Sequence, residues 1–129
     1  MRDATLLPEL ISLAADRDSA APALTYGNMT LNYGELQVAV TSFSSGLLSL
    51  GIQRGERVAI YLEKRFETVI ASFGAPAAGA VFVPLNPLLK PEQVGYIMRD
   101  CNVRVLVTSR ERLALLSDTL TTCHDLRHV

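Results

Sequence analysis

The stretch from Val58 to Val83, VAIYLEKRFETVIASFGAPAAGAVFV, decides the fold. It opens on an apolar run, Val58 to Leu62, and closes on a second, Ala80 to Val83. Both are short and rich in β-branched or aromatic residues, as buried strands are. Between them a mostly apolar stretch near Phe66 to Ala77 has a length that suits a helix and not a strand. A strand, a helix and a strand of this spacing make a right-handed crossover with the two strands parallel. The unit then recurs. Pro91 suits the first turn of a helix carrying Val94, Ile97 and Met98, and Val103 to Val107 is the next strand. The order β-α-β-α-β predicts a three-layer α/β fold, a mostly parallel sheet covered by helices on both faces. Gly79 reads as the tight turn between helix and strand. Pro76 brings no amide to its helix and is expected to kink or shorten it.

Upstream, Leu6 to Arg17 reads as a first helix with Leu6, Leu10 and Leu13 on one face. Ala23 to Tyr26, Gly27-Asn28 and Met29 to Leu31 read as a small hairpin. Asn32 is placed to cap the next helix, with Glu35 three residues on completing a capping box. Leu36, Val40, Phe43, Leu47 and Leu50 then recur at steps of four and three, one apolar stripe that Gly51 can end. Downstream, Thr108 and Glu111 suggest a second capping box, before a helix through Arg112, Leu113, Leu115 and Leu116. Leu126 to Val129 resembles the opening of a further strand, so residues 1–129 read as a partial domain cut at the start of a strand.

Composition narrows the function. The chain has 129 residues, enough for one core, and carries 12 basic against 13 acidic side chains for a net charge of −1. No basic stripe offers itself to nucleic acid or an anionic membrane. Thr68 to Leu89 holds no charged residue, long enough to suggest a membrane span. Pro76, Pro84, Pro87, Gly74, Gly79 and Asn86 would break such a helix repeatedly and leave backbone groups unpaired in lipid, so no transmembrane segment is expected. Cys101 and Cys123 form no spaced framework, which suggests a reducing, cytoplasmic setting. Cys123, His124 and Asp125 are consecutive, and neighbours on an extended chain point to opposite faces. They make no nucleophile set and, with His128, no credible zinc site.

Two segments carry a family resemblance. Leu31-Asn32-Tyr33-Gly34-Glu35-Leu36, followed by Gly51-Ile52-Gln53-Arg54-Gly55-Glu56-Arg57-Val58-Ala59-Ile60, is similar to the first core motif of the AMP-forming adenylating enzymes. Ala78-Gly79-Ala80-Val81-Phe82-Val83-Pro84-Leu85-Asn86-Pro87 is similar to their second. That family includes acyl-CoA synthetases, luciferases and peptide-synthetase adenylation domains. Tyr61 to Thr68 and Leu88 to Gln93 further resemble ligases associated with bacterial exosortase and exopolysaccharide loci. Pro76, and the absence of Asn near Lys64 or Arg65, depart from the pattern.

The resemblance implies an enzyme that joins a carboxylic acid to ATP, releases pyrophosphate and passes the acyl group to coenzyme A. ATP, magnesium and coenzyme A would be ligands of that larger enzyme. The chain holds no glycine- and hydroxyl-rich loop ending in Lys to cradle a triphosphate. The family's magnesium Glu, ribose Asp and catalytic Lys lie downstream in relatives. No catalytic residue and no bound cofactor are therefore expected here, and the chain alone is expected to be inactive. Asn86, in the loop past a parallel strand's carboxyl end, and Arg110 and Arg112, past the third strand, are the candidate coenzyme A contacts that the resemblance implies. Tyr33 and Glu35 read as structural, since a capping box accounts for Glu35.

Two other readings stay open. One is a natural nonenzymatic remnant of such a ligase, and the other a small α/β interaction module. A receiver-like module would need several acidic residues at a strand end, where Leu62-Glu63-Lys64-Arg65 supplies one acid beside two cations. A sheet cut partway through its strand order should also leave an unpaired edge and apolar helix faces, so self-association is expected.

Overall fold

The structure, a computed structural model, describes residues 3–129. Its elements in order are α1 (Glu9–Arg17), β1 (Pro22–Tyr26), β2 (Met29–Asn32), α2 (Tyr33–Ser49), β3 (Arg57–Tyr61), α3 (Phe66–Ala77), β4 (Val81–Pro84), α4 (Pro91–Asp100), β5 (Val103–Thr108) and α5 (Arg110–Leu120). β1 and β2 form the expected hairpin, turning at Gly27 with φ +60°. β3, β4 and β5 form a parallel sheet in the order β4-β3-β5. The β-α-β-α-β plan is thus realised in three layers.

The helices divide between the faces as right-handed crossovers require. The step from β3 to β4 through α3 and the step from β4 to β5 through α4 run in opposite directions across the sheet, so α3 and α4 fall on opposite faces. On the α2/α3 side Leu47 and Ala75 pack with Val58 and Val105. On the α4/α5 side Val94, Met98 and Leu116 pack with Ala59, Tyr61 and Leu106. Two glycines permit close helix approaches. Thr119 of α5 would stand 2.6 Å from a Cβ on Gly95 of α4, and Phe43 of α2 would stand 2.5 Å from one on Gly74 of α3.

Local readings hold in several places. Asn32 accepts from the Glu35 amide at 2.7 Å and Glu35 accepts from the Asn32 amide at 3.1 Å, the reciprocal box. Gly79 takes φ +80° between α3 and β4. Pro76 lies in the last turn of α3, which ends one residue later at Ala77.

Other readings need correction. α1 begins at Glu9, whose carboxylate collects the Thr5 and Leu6 amides, and its buried residue is Ile11. Leu6 and Leu10 are 66% and 52% exposed, because the core at α1 is the Leu36 and Val40 side of α2, which Ile11 faces. Leu50 is 48% exposed, since it caps α2 one residue beyond the last packed turn. β5 runs on to Thr108, which shifts the cap of α5 to Ser109; its hydroxyl accepts from the Arg112 amide at 3.2 Å. The Thr108 hydroxyl instead donates to the Tyr61 carbonyl at 2.7 Å. Leu115 is 64% exposed, whereas Leu116 is fully buried.

The segment around His128 lies along the outer edge of β5 in parallel register, with the Leu106 amide donating to the His128 carbonyl at 3.0 Å. The register of β5 slips beside Val58, leaving Arg104 as an extra residue that points outward. Its guanidinium holds Glu56 and Asp125, each at 2.8 Å, and so fastens the terminal segment to the sheet.

Candidate functional site

In an open parallel sheet ligands bind beyond the carboxyl ends of strands, where neighbouring strands send their connections to opposite faces. Here that point lies between β3, which leaves through α3, and β5, which leaves through α5. The structure has a crevice there of about 480 Å³, lined by Leu62, Arg65 and Glu67 after β3, by Val107 and Thr108 at the end of β5 and by Ser109, Arg110 and Glu111 after it. Its apolar floor and charged rim suit a ligand with a polar end.

Two of the rim charges are paired with each other. Arg65 binds Glu67 at 2.8 Å and reaches Glu63 at 3.7 Å. The Arg65 hydrogen bond holds the Glu67 carboxyl below its usual pKa, and the Arg112 hydrogen bond does the same for Glu63. These carboxylates stay ionised at neutral pH and are not poised as proton donors. Arg110 is exposed on the rim, with no ion pair of its own among the described residues.

Arg112 lies roughly 200° from Arg110 around the helix, on the side of the loop after β4. Its Nε donates to Glu63 at 2.9 Å, its Nη1 donates to the Pro87 carbonyl at 2.8 Å, and its guanidinium carbon stands 4.9 Å from the centre of the Tyr61 ring. Asn86 is exposed in that loop, and its Oδ1 accepts from the Leu88 amide at 2.9 Å. The structure therefore places Arg112 against the Asn86 loop and sets Arg110 in the crevice with Arg65. Sequence reasoning missed Tyr61, whose hydroxyl donates to the Leu89 carbonyl at 2.8 Å. An amphipathic residue ending an apolar strand was the available signal.

A second cavity, also about 480 Å³, runs between α2 and β5, walled by Phe43, Gly46, Leu47, Leu50, Val105 and Val107 among others. No charged side chain lines it, and Thr108 is the one hydroxyl on its wall. Cys123 is buried with its thiol toward the Thr119 carbonyl at 3.6 Å, while Asp125 is held by Asn102 and Arg104. Among the described residues no group of three or more His, Cys, Asp or Glu could hold a metal ion, and no helix is long and apolar enough to cross a membrane.

The family model for AMP-binding enzymes matches residues 11–128. Phosphinothricin tripeptide synthetase PhsB of Streptomyces viridochromogenes is 35% identical over 117 residues, covering 90% of this chain and 10% of that protein. Surfactin synthase subunit 3 of Bacillus subtilis is 34% identical over 98 residues, covering 76% of this chain and 8% of that protein. Among solved structures, the anthranilate CoA ligase AuaEII in complex with anthranoyl-AMP superposes with a TM-score of 0.92 at 26% identity, covering 99% of this chain and 25% of that one. The chain thus spans a quarter or less of each of these relatives.

Proposed function

The chain belongs to the AMP-binding enzyme family, and from that premise we propose that it forms the N-terminal part of the adenylating domain of an acid–CoA ligase. The observation that carries this reading is the switch-point crevice, with Arg110 exposed on its rim, on a fold that superposes at a TM-score of 0.92 on a CoA ligase. In this reading the larger enzyme activates a carboxylic acid with ATP and magnesium and hands the acyl group to coenzyme A. The triphosphate and magnesium bind outside these 129 residues: the sequence carries no phosphate loop, and no group of three or more His, Cys, Asp or Glu among the described residues could hold a metal ion.

The part assigned to this chain is scaffold and border. Asn86 and Arg110 contact coenzyme A, with Arg112 beside the same route. Arg110 is suited to a phosphate, because a guanidinium binds phosphate oxygens with two donors. The free thiols of Cys101 and Cys123 support a reducing, cytoplasmic setting. The outer edge of β4 and the apolar cavity beside α2 support self-association of the chain by itself. The exosortase-linked subgroup belongs with this proposal and rests on the Tyr61 to Thr68 and Leu88 to Gln93 segments.

A second reading has a specific observation in its favour. The sequence relatives include peptide synthetases, and the same scaffold suits an amino-acid-activating domain. Titration of the labelled chain with coenzyme A separates the two. Amide shifts at Ser109, Arg110 and Asn86 at millimolar ligand are expected for the ligase reading. Unmoved amides at those positions would reject it.

A further inference from the structure

The loop between β4 and α4 is held in a way that the sheet does not explain. Its entry is fixed by the sheet, where the Leu85 amide donates to the Ile60 carbonyl at 2.9 Å. Its exit is fixed by α4, where the Lys90 amide donates to Gln93 Oε1 at 2.9 Å. Between them, the carbonyls of Pro87 and Leu89 would ordinarily face water. Both are instead taken by side chains from remote elements, Pro87 by Arg112 of α5 and Leu89 by Tyr61 of β3.

The two donors are themselves joined. The Arg112 guanidinium lies over the Tyr61 ring at 4.9 Å, within the range of a cation–π contact, and its Nε is anchored by Glu63. Tyr61 is buried, and its own carbonyl is held by Thr108. Arg112 is fixed at its backbone by the Ser109 cap. Each donor is thus immobilised before it reaches the loop, so little side-chain entropy opposes the two hydrogen bonds. The charged donor also makes the stronger kind of bond to a carbonyl. The side chain that the held loop projects is Leu88, 89% exposed, with Asn86 beside it.

We propose that Arg112 and Tyr61 form a two-point clamp on the Pro87 and Leu89 carbonyls, making both positioning residues that set Asn86 and Leu88 at the carboxyl edge of the sheet. The functional weight of this placement rests on the ligand reading given above, whereas the clamp itself does not. Arg112 is suited to the task where Lys is not. A guanidinium can hold Glu63, Pro87 and the ring face together, while an ammonium at the end of a flexible stem cannot span all three.

The test is amide hydrogen exchange on the full 129-residue chain, comparing wild type with Arg112→Lys, Tyr61→Phe and the double variant. Arg112→Lys keeps the charge and Tyr61→Phe keeps the ring, so both should retain the fold. Exchange at Leu88 and Leu89 is expected to rise by about tenfold or more in each single variant, with Val105 and Leu106 unchanged. Because the two donors act as one unit, the double variant should exceed the larger single effect by less than the product of the two. Unchanged exchange at Leu88 and Leu89 would overturn the clamp. So would a uniform rise at every amide, which would mark a general loss of stability. Coenzyme A added to the same samples reports separately: no response in the wild type would count against the ligand reading and leave the clamp standing.

Discussion

Gly74 of α3 lies so close against Phe43 of α2 that a Cβ on it would stand 2.5 Å from the phenyl ring. Gly46, on α2 itself, has nothing within 4 Å of where its Cβ would be. The two glycines therefore separate packing from helix propensity. Gly46→Ala should stabilise the chain by about 0.5–1 kcal/mol, the usual helical gain over Gly. Gly74→Ala should destabilise it by roughly 1–2 kcal/mol, overpacking outweighing the same gain. Urea melts decide it, and changes of the same sign at both sites would contradict the assigned contact.

Gly79 and Gly27 both adopt positive φ, +80° and +60°, but they hold different things. Gly27 turns an exposed hairpin. Gly79 links α3 to β4, and its carbonyl accepts from the Gly55 amide at 2.9 Å beside the start of β3. Gly27→Ala should cost about 1 kcal/mol of left-handed strain. Gly79→Val adds a β-branched side chain, a more severe misfit at positive φ, and should lower the melting temperature well beyond the Gly27 change. Equal losses would show that the hairpin matters as much as the sheet entry.

Arg104 makes stability depend on acid. Its hydrogen bond is the main cause holding the Glu56 carboxyl below its usual range; for Asp125 the Asn102 amide comes first and Arg104 second. A carboxyl lowered in the folded state binds fewer protons there than in the unfolded chain. Its contribution is present above the unfolded value near pH 4 and is lost as pH falls through the lower folded value. Wild-type stability should therefore fall below about pH 4 more steeply than that of Arg104→Gln. Denaturant melts from pH 6 to pH 3 test this, and equal slopes would remove the salt bridges from the account.

Self-association is expected of the chain by itself. At about 25 cal/mol per Å², burying several hundred Å² of apolar surface is worth several kcal/mol, enough to offset part of the association entropy. Gly46 lines the cavity beside α2 and has nothing within 4 Å of its Cβ position, so Gly46→Glu places a charge in a groove lined by no charged side chain. Light scattering at micromolar concentration should show the wild type above monomer mass and the variant shifted toward it. A wild-type monomer would contradict the expectation.

The parts of the fold legible in sequence are those fixed by neighbours along the chain. Asn32 and Glu35 are three residues apart, and the capping box follows from that spacing alone. The stretch around Phe66 to Ala77 is mostly apolar over the length of a helix, and α3 occupies it. What could not be read depends on distant partners. Arg112 meets Glu63 across 49 positions and Pro87 across 25, so the sequence could mark it as a cation near a strand end but not show where its donors go. The same holds for Gly74 against Phe43 and for the slip that leaves Arg104 outside the ladder. Ser109 was missed for a smaller reason: β5 extends one residue beyond its apolar run.

The most direct test of the central proposal is ATP–pyrophosphate exchange by the purified 129-residue chain with a panel of fatty, aromatic and amino acids. As scaffold and border of an adenylating domain, the chain should show no exchange above background with any of them. Acid-dependent exchange that copurifies with the chain and disappears on its removal would contradict the proposal and place the adenylating chemistry within these residues.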